Sequence, residues 1–204
     1  MPQKKSLHAA ERDKVEGKAK RALSRVQITG VVPADNVFLD ESGGTTGMTR
    51  RYGLALRGHR IQDGTPGGRW QTVTMLGAIG TEGWTAIMTV PAPADSEIVL
   101  ACLNEVLCPA FRPRHGVRMD NLAAHKIAGV AEAISAVGAR VLYLPPYSPD
   151  FNPIEPCWFV VKQCLRKLKA RSLSATDEAI PIAIARVSKQ TIANCFRNCG
   201  YELH

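Results

Sequence analysis

The sequence predicts an α/β protein in which a mixed sheet carries helices on its faces. Two apolar, strand-like segments, residues 72–79 and 84–90, flank a short glycine-bounded turn, which indicates a hairpin. Beyond the hairpin, short apolar strands alternate with segments of helical periodicity. With 45% hydrophobic and 22% charged residues, the composition excludes a wholly disordered chain. No apolar run approaches the roughly 18 residues that a membrane span requires.

The amino-terminal part of the chain predicts a basic arm followed by one folded domain. Residues 1–30 are polar and basic, with weak helical periodicity, and the domain is predicted over residues 31–204. Its first element is a buried strand at residues 37–39, which ends at Asp40. The glycine-rich segment after it, residues 41–53, is predicted to be a mobile loop.

The rest of the predicted domain follows the alternation of helices and strands. After the hairpin, the predicted elements in chain order are a helix at 96–107, a strand at 116–119 that ends at Asp120, a helix at 123–137, a strand at 140–144, a long helix from near Asn152 and a helix at 176–187.

Three carboxylates occupy positions that favour a catalytic or ligand-binding role. Asp40 and Asp120 each end a predicted core strand, and ligands of open α/β sheets gather outside strand ends. The two side chains can therefore lie side by side, although a strand-terminal Asp can equally form a turn. Glu155 begins the long helix, where the alternative is a capping box with Asn152 as the N-cap.

The long helix is predicted to have an apolar face and a basic one. At about 100° per residue, the face predicted as core carries Trp158, Val161, Leu165 and Leu168. The neighbouring face carries Glu155, Lys162, Arg166 and Lys169. An acid that heads a row of cations suits a phosphodiester enzyme, with the carboxylate for a metal and the cations for the backbone; a solvated basic face is the alternative. Three acids without paired histidines favour Mg²⁺ or Mn²⁺ over zinc.

Charge and cysteine content narrow the class of partner and the redox state. The 26 Lys and Arg residues against 18 Asp and Glu give a net charge of +8, which favours a polyanion such as nucleic acid. The six cysteines include no C-x-x-C pair, so reduced and mostly buried thiols are predicted. A zinc site at Cys195, Cys199 and His204 is the less favoured alternative.

Three sequence blocks resemble a known family. FLDES (38–42), MDNLAAHK (119–126) and LPPYSPDFNPIE (144–155) are similar to the DDE transposases of bacterial insertion sequences allied to the mariner elements, specifically the IS-six-thirty group. The 34 residues between Asp120 and Glu155 agree with the spacing typical of that superfamily. The resemblance implies a ribonuclease H-like fold, a five-stranded mixed sheet flanked by helices. It assigns Asp40, Asp120 and Glu155 to a catalytic triad that binds two Mg²⁺ or Mn²⁺ ions.

The resemblance also implies an activity and partners. The expected reaction is metal-dependent cleavage of double-stranded DNA at transposon ends, followed by joining of the 3′-hydroxyl ends to target DNA, usually at TA. Residues expected to shape the site or touch DNA are Glu41, Asn121, His125, Lys126 and Asn152. Residues expected to bind DNA are Arg50, Arg51, Lys162, Arg166 and Lys169.

Family members carry an amino-terminal helix-turn-helix half that reads the terminal repeats, and residues 1–30 resemble only the connector after it. A first-frame helix-turn-helix partner is therefore expected. The pairing of two transposon ends implies a homodimer on DNA, and the resemblance implies a bacterial cytoplasmic, nucleoid-associated location. Two other functions stay open: a metal-dependent endonuclease that uses the same triad with water, and a non-catalytic DNA-binding fragment of a split or truncated transposase.

Overall fold

A five-stranded mixed sheet forms the centre of the molecule, as predicted. The computed structural model describes residues 14–29, 32–50, 52–65, 67–91, 96–120, 129–146 and 148–203. The strands are β1 (Asn36–Thr45), β2 (Thr72–Gly80), β3 (Gly83–Val90), β4 (Gly116–Met119) and β5 (Arg140–Tyr143). Their order across the sheet is β3-β2-β1-β4-β5. The hairpin pairs β1–β2 and β2–β3 are antiparallel, whereas β1–β4 and β4–β5 are parallel.

Helices cover both faces of the sheet, because side chains alternate along each strand. One face carries Phe38, Met75 and Ile79, and it packs against α4 (Ile154–Leu168), α5 (Leu173–Ala185) and α6 (Lys189–Asn198). The other face carries Val37, Leu39, Val117 and Met119, and it packs against α3 (Val130–Ala136) and the π-helical turn Leu103–Leu107, which continues α2 (Ser96–Cys102). The sheet is therefore the middle layer of a three-layer domain.

The first strand is longer than its sequence indicates. The prediction that it ends at Asp40 is wrong, because β1 continues through the glycines to Thr45. The extension is held by antiparallel pairing with β2, from Glu41 opposite Leu76 to Thr45 opposite Thr72. Gly43 and Gly44 have low strand propensity, so only this tertiary pairing explains the extension.

The helices also differ from their predicted limits. The arm forms the fifteen-residue helix α1 (Val15–Thr29), and α6 was not predicted at all. Helix α5 begins after Ser172, whose side chain accepts a hydrogen bond from the Ala175 amide at 3.1 Å. The predicted helix at 123–137 is described only as α3, since residues 121–128 lie outside the described residues. None of the described helices combines the length and the apolarity that a bilayer crossing requires.

All six cysteines are free thiols, as predicted, and only Cys164 is not fully buried. Cys157 on α4 and Cys195 on α6 lie in the same apolar layer between the two helices, and the Cys157 thiol donates to the Pro153 backbone oxygen at 3.3 Å. His204 lies outside the described residues, so the zinc alternative is not tested in full.

Candidate active site

Two of the predicted acids lie at the edge of the sheet where two neighbouring parallel strands separate. The last recorded pair of β1 and β4 is Phe38 with Arg118, and continuing this register by two residues places Asp40 opposite Asp120. β1 continues beside β2 after this point while β4 ends, so the strands diverge at the two carboxylates. Asp40 is 6% exposed and Asp120 is half-buried. Both belong to the face of the sheet that carries Phe38.

Helix α4 brings the third acid to the same edge. Trp158 lies one turn after Glu155 and packs over Gly77, the residue that pairs with Asp40. The contact is close enough that a Cβ atom on Gly77 would lie 2.9 Å from the Trp158 ring. The glycine therefore lets α4 approach the strand pair at the level of Asp40, one helical turn from Glu155.

Glu155 is close enough to Asp120 for the charge of one carboxylate to affect the pKa of the other. The side chain of Glu155 keeps contact with solvent, yet desolvation by the surrounding protein raises its pKa above the ordinary value. The nearby positive charge of Lys162 lowers this pKa, whereas the negative charge of Asp120 raises it further. A cation placed between the two acids would stabilise the charged form of the Glu155 carboxylate.

The capping-box interpretation of Glu155 is wrong. The residue at the cap of α4 is Pro153, and no side chain caps the helix. The Glu155 amide donates to the backbone oxygen of Asn152 at 3.2 Å, while the Asn152 side-chain oxygen Oδ1 is buried and has no hydrogen-bond partner in the described structure. The cap lies at Pro153, one residue later than the predicted Asn152, so neither the Asn152 nor the Glu155 side chain caps the helix.

The donor set fits a hard divalent cation. Asp40 and Asp120 lie at one edge of the sheet, Glu155 lies within electrostatic range of Asp120, and the orphaned oxygen of Asn152 lies three residues before Glu155. Oxygen ligands of this kind are those that Mg²⁺ and Mn²⁺ take. As they stand, no three His, Cys, Asp or Glu side chains in the described part of the chain are gathered closely enough to hold an ion. Coordination would therefore need rotation of these side chains toward one another.

The basic face of α4 is shorter than predicted. Lys162 and Arg166 are half-buried on the helix. Lys169 adopts a left-handed conformation with φ of 52° after the helix end, and its ammonium group lies 2.7 Å from the Asp63 carboxylate. That ion pair connects Lys169 to the loop between β1 and β2. Leu168, predicted as core, is 42% exposed because the helix ends there.

The loop between β1 and β2 is fastened by a residue that the sequence did not mark. The Arg171 guanidinium donates to the backbone oxygens of Thr46, Met48 and Gly64 and to the hydroxyl of Thr49, at 2.9–3.4 Å. One side chain beside the end of α4 thus connects the start of the loop to a segment near its other end. Among the described residues of this loop, the exposed arginines are Arg50, Arg57, Arg60 and Arg69.

Of the remaining predicted residues, Glu41 does not join the acids, because alternation along β1 places it on the opposite face from Asp40. Arg51, Asn121, His125 and Lys126 lie outside the described residues. A functional-site neighbour that sequence reasoning missed is Arg118, two residues before Asp120 on the same face. Its buried guanidinium donates from Nε to Asn36 Oδ1 at 2.8 Å, and desolvation lowers its pKa.

The sheet order, the helices on both faces and the acidic edge define a ribonuclease H-like domain. The fold matches the Mos1 transposase paired-end complex with left transposon end, at a TM-score of 0.78 and 15% identity over 98% of this chain and 63% of that chain. It also matches the catalytic domain of Mos1 mariner transposase, at a TM-score of 0.64 and 13% identity over 98% of each chain.

Residues 35–177 match the family described as DDE superfamily endonuclease, and the chain belongs to that family. The chain spans less than two thirds of the Mos1 chain in the paired-end complex. Among proteins of curated function, none matches the chain in sequence at a significant level.

Proposed function

We propose that the chain is the catalytic unit of an insertion-sequence transposase of the IS-six-thirty group. It cuts double-stranded DNA at transposon ends and joins the 3′-hydroxyl ends to target DNA, usually at TA. The observation that carries the proposal is the register of β1 and β4, which sets Asp40 opposite Asp120, together with the effect of Asp120 on the pKa of Glu155. Family membership and the similarity to Mos1 complexes with Mn and with Mg support metal-dependent chemistry on DNA.

In this mechanism Asp40, Asp120 and Glu155 would hold two Mg²⁺ or Mn²⁺ ions, which would supply a Lewis acid for the phosphodiester and would lower the pKa of an attacking water or 3′-hydroxyl. Strand pairing along β1 on the β2 side fixes the backbone at Asp40, so only its side chain has to turn toward an ion. Glu155 lies in the first turn of α4, where the positive end of the helix dipole favours a carboxylate.

The charges of α4 continue from the acids toward the β1–β2 loop. Lys162 lies two turns along the helix from Glu155 and acts on its pKa, and Arg166 follows one turn later. Cations in this place would bind the phosphates on either side of the bond that is cut. Two transposon ends need two active sites, so we propose a homodimer on DNA, with a first-frame helix-turn-helix partner to read the terminal repeats.

Neutralising Lys162 or Arg166 should weaken binding to all DNA sequences by a similar factor. In Lys162→Gln and Arg166→Gln variants we expect the slope of log affinity against log salt to flatten by about one unit per lost phosphate contact. Fluorescence anisotropy with a labelled duplex across a series of KCl concentrations measures this slope. Lys189→Gln is the matched control, because Lys189 pairs with Glu82 at the opposite end of the sheet. Equal slopes in all four proteins would remove α4 from the DNA interface.

The full reaction is tested with DNA that carries free 3′-hydroxyl ends. A labelled duplex made from the sequence flanking the coding region is incubated with a TA-containing plasmid, Mg²⁺ or Mn²⁺, and either the wild-type chain or Asp120→Ala. Joined products from the wild type alone support the transposase. Nicked plasmid without joining would instead support a metal-dependent endonuclease. DNA binding without any cleavage, equal in both proteins, would support a non-catalytic DNA-binding fragment.

A further inference from the structure

Arg21 docks the amino-terminal helix onto the domain. Among the side chains of α1 that the structure describes, Arg21 alone is buried, at 7% exposure, and neighbours such as Lys20 and Leu23 are exposed. Its Nη1 and Nη2 atoms donate to the two Asp150 carboxylate oxygens at 3.0 and 2.6 Å, and Nη1 also donates to the Ser148 hydroxyl at 2.6 Å. The guanidinium lies over the Phe151 ring, 4.5 Å from its centroid.

These partners belong to the turn that leads into α4. Residues 149–151 form a short 3₁₀ turn, and the chain then reaches Glu155 within four residues. The turn is held on its inner side by the buried Tyr201 hydroxyl, which donates to the Phe151 backbone oxygen at 3.0 Å. Arg21 holds it from the outer side, so the turn lies between the arm and the carboxyl-terminal segment.

We propose that Arg21 is a positioning residue for Glu155. By fixing the turn through a bidentate ion pair and a stacked ring, Arg21 sets where α4 begins and where the Glu155 carboxylate is presented to Asp40 and Asp120. Planar, two-point contact of this kind is specific to arginine, since a lysine ammonium offers neither the paired donors nor the flat face. The inference rests on the proposed metal site, and it makes that site depend on a docked arm.

The metal-free protein provides the first test. Amide hydrogen exchange in peptides covering residues 148–155 should be about tenfold faster in Arg21→Gln than in the wild type, because a charge-assisted contact to the turn is lost. Lys20→Gln is the matched control, since Lys20 is the adjacent residue and forms only an exposed ion pair with Glu16. Equal exchange in Arg21→Gln and wild type would overturn the proposal.

Binding of Mn²⁺ provides the second test, without any need for DNA cleavage. Isothermal titration should show about tenfold weaker Mn²⁺ binding in Arg21→Gln and in Asp150→Asn, and no further loss in the double variant, because both changes break one contact. Wild-type affinity in Arg21→Gln would overturn the positioning role even if exchange were faster. A wild type that binds Mn²⁺ but never cleaves DNA would overturn the proposed function and leave the role of Arg21 intact.

Discussion

An Asp120→Asn chain should bind duplex DNA as the wild type does and should cut it about a thousandfold more slowly. Asparagine keeps the shape of the side chain at the end of β4 but removes the charge that lies opposite Asp40. Loss of a metal-binding charge removes several kcal/mol of transition-state stabilisation, which corresponds to roughly three powers of ten in rate. Plasmid nicking with Mn²⁺, measured beside DNA affinity, gives both numbers.

Asp177→Asn is the control for this substitution. Asp177 is an exposed carboxylate on α5 and has no part in the proposed metal site, so its variant should cut DNA at the wild-type rate. A nicking rate in Asp120→Asn that equals that of the control would show that the acidic edge is not the site of cleavage.

Replacing Trp158 with alanine should cost about 3 kcal/mol of the free energy of unfolding. The side chain is 2% exposed, fills the layer between α4 and the sheet, and packs over Gly77 and against Trp84, with ring centroids 5.0 Å apart. Truncating a buried aromatic leaves a cavity and typically costs about 3–5 kcal/mol. The lower end applies here because the indole Nε1 is buried without a hydrogen-bond partner in the described structure, and its removal offsets part of the loss.

The neighbouring residue offers a control on the same helix. Phe159 is 60% exposed, so Phe159→Ala should change the free energy of unfolding by less than about 0.5 kcal/mol. Urea denaturation of the three proteins measures both values. Equal stability of Trp158→Ala and Phe159→Ala would contradict the packing of α4 on the strand that carries Asp40.

The parts of the site that the sequence could predict are those set by local pattern. The apolar run before Asp120 marks a strand end, and the helical spacing after Glu155 correctly assigns Trp158, Val161 and Leu165 to the core. Hydrophobic periodicity and the place of a residue at the end of a strand depend on neighbouring residues alone, so predictions based on them hold in the folded chain. The expectation that Asp40 and Asp120 lie side by side followed from the general behaviour of strand ends, and the register of β1 with β4 supports it although β1 itself does not end at Asp40.

The parts that the sequence could not predict depend on contacts between distant segments. Strand pairing with β2 extends β1 through two glycines against their propensity. The sequence assigned Lys169 to the basic face of α4, but the helix ends one residue before it. Its ammonium group instead forms an ion pair with Asp63, more than one hundred residues earlier in the chain. Arg21 and Arg171 looked like ordinary basic residues, because their partners lie more than one hundred residues away in the chain.

A crystal of the chain soaked in Mn²⁺ gives the most direct test of the central claim, that three carboxylates at the divergence of β1 and β4 share divalent cations. Anomalous difference density should appear between Asp40, Asp120 and Glu155, with oxygen–metal distances of about 2.0–2.3 Å. The same soak of Asp120→Asn should lose that density. An ordered acidic edge with no anomalous peak, or a peak held by other residues alone, would contradict the assignment of this edge as the metal site.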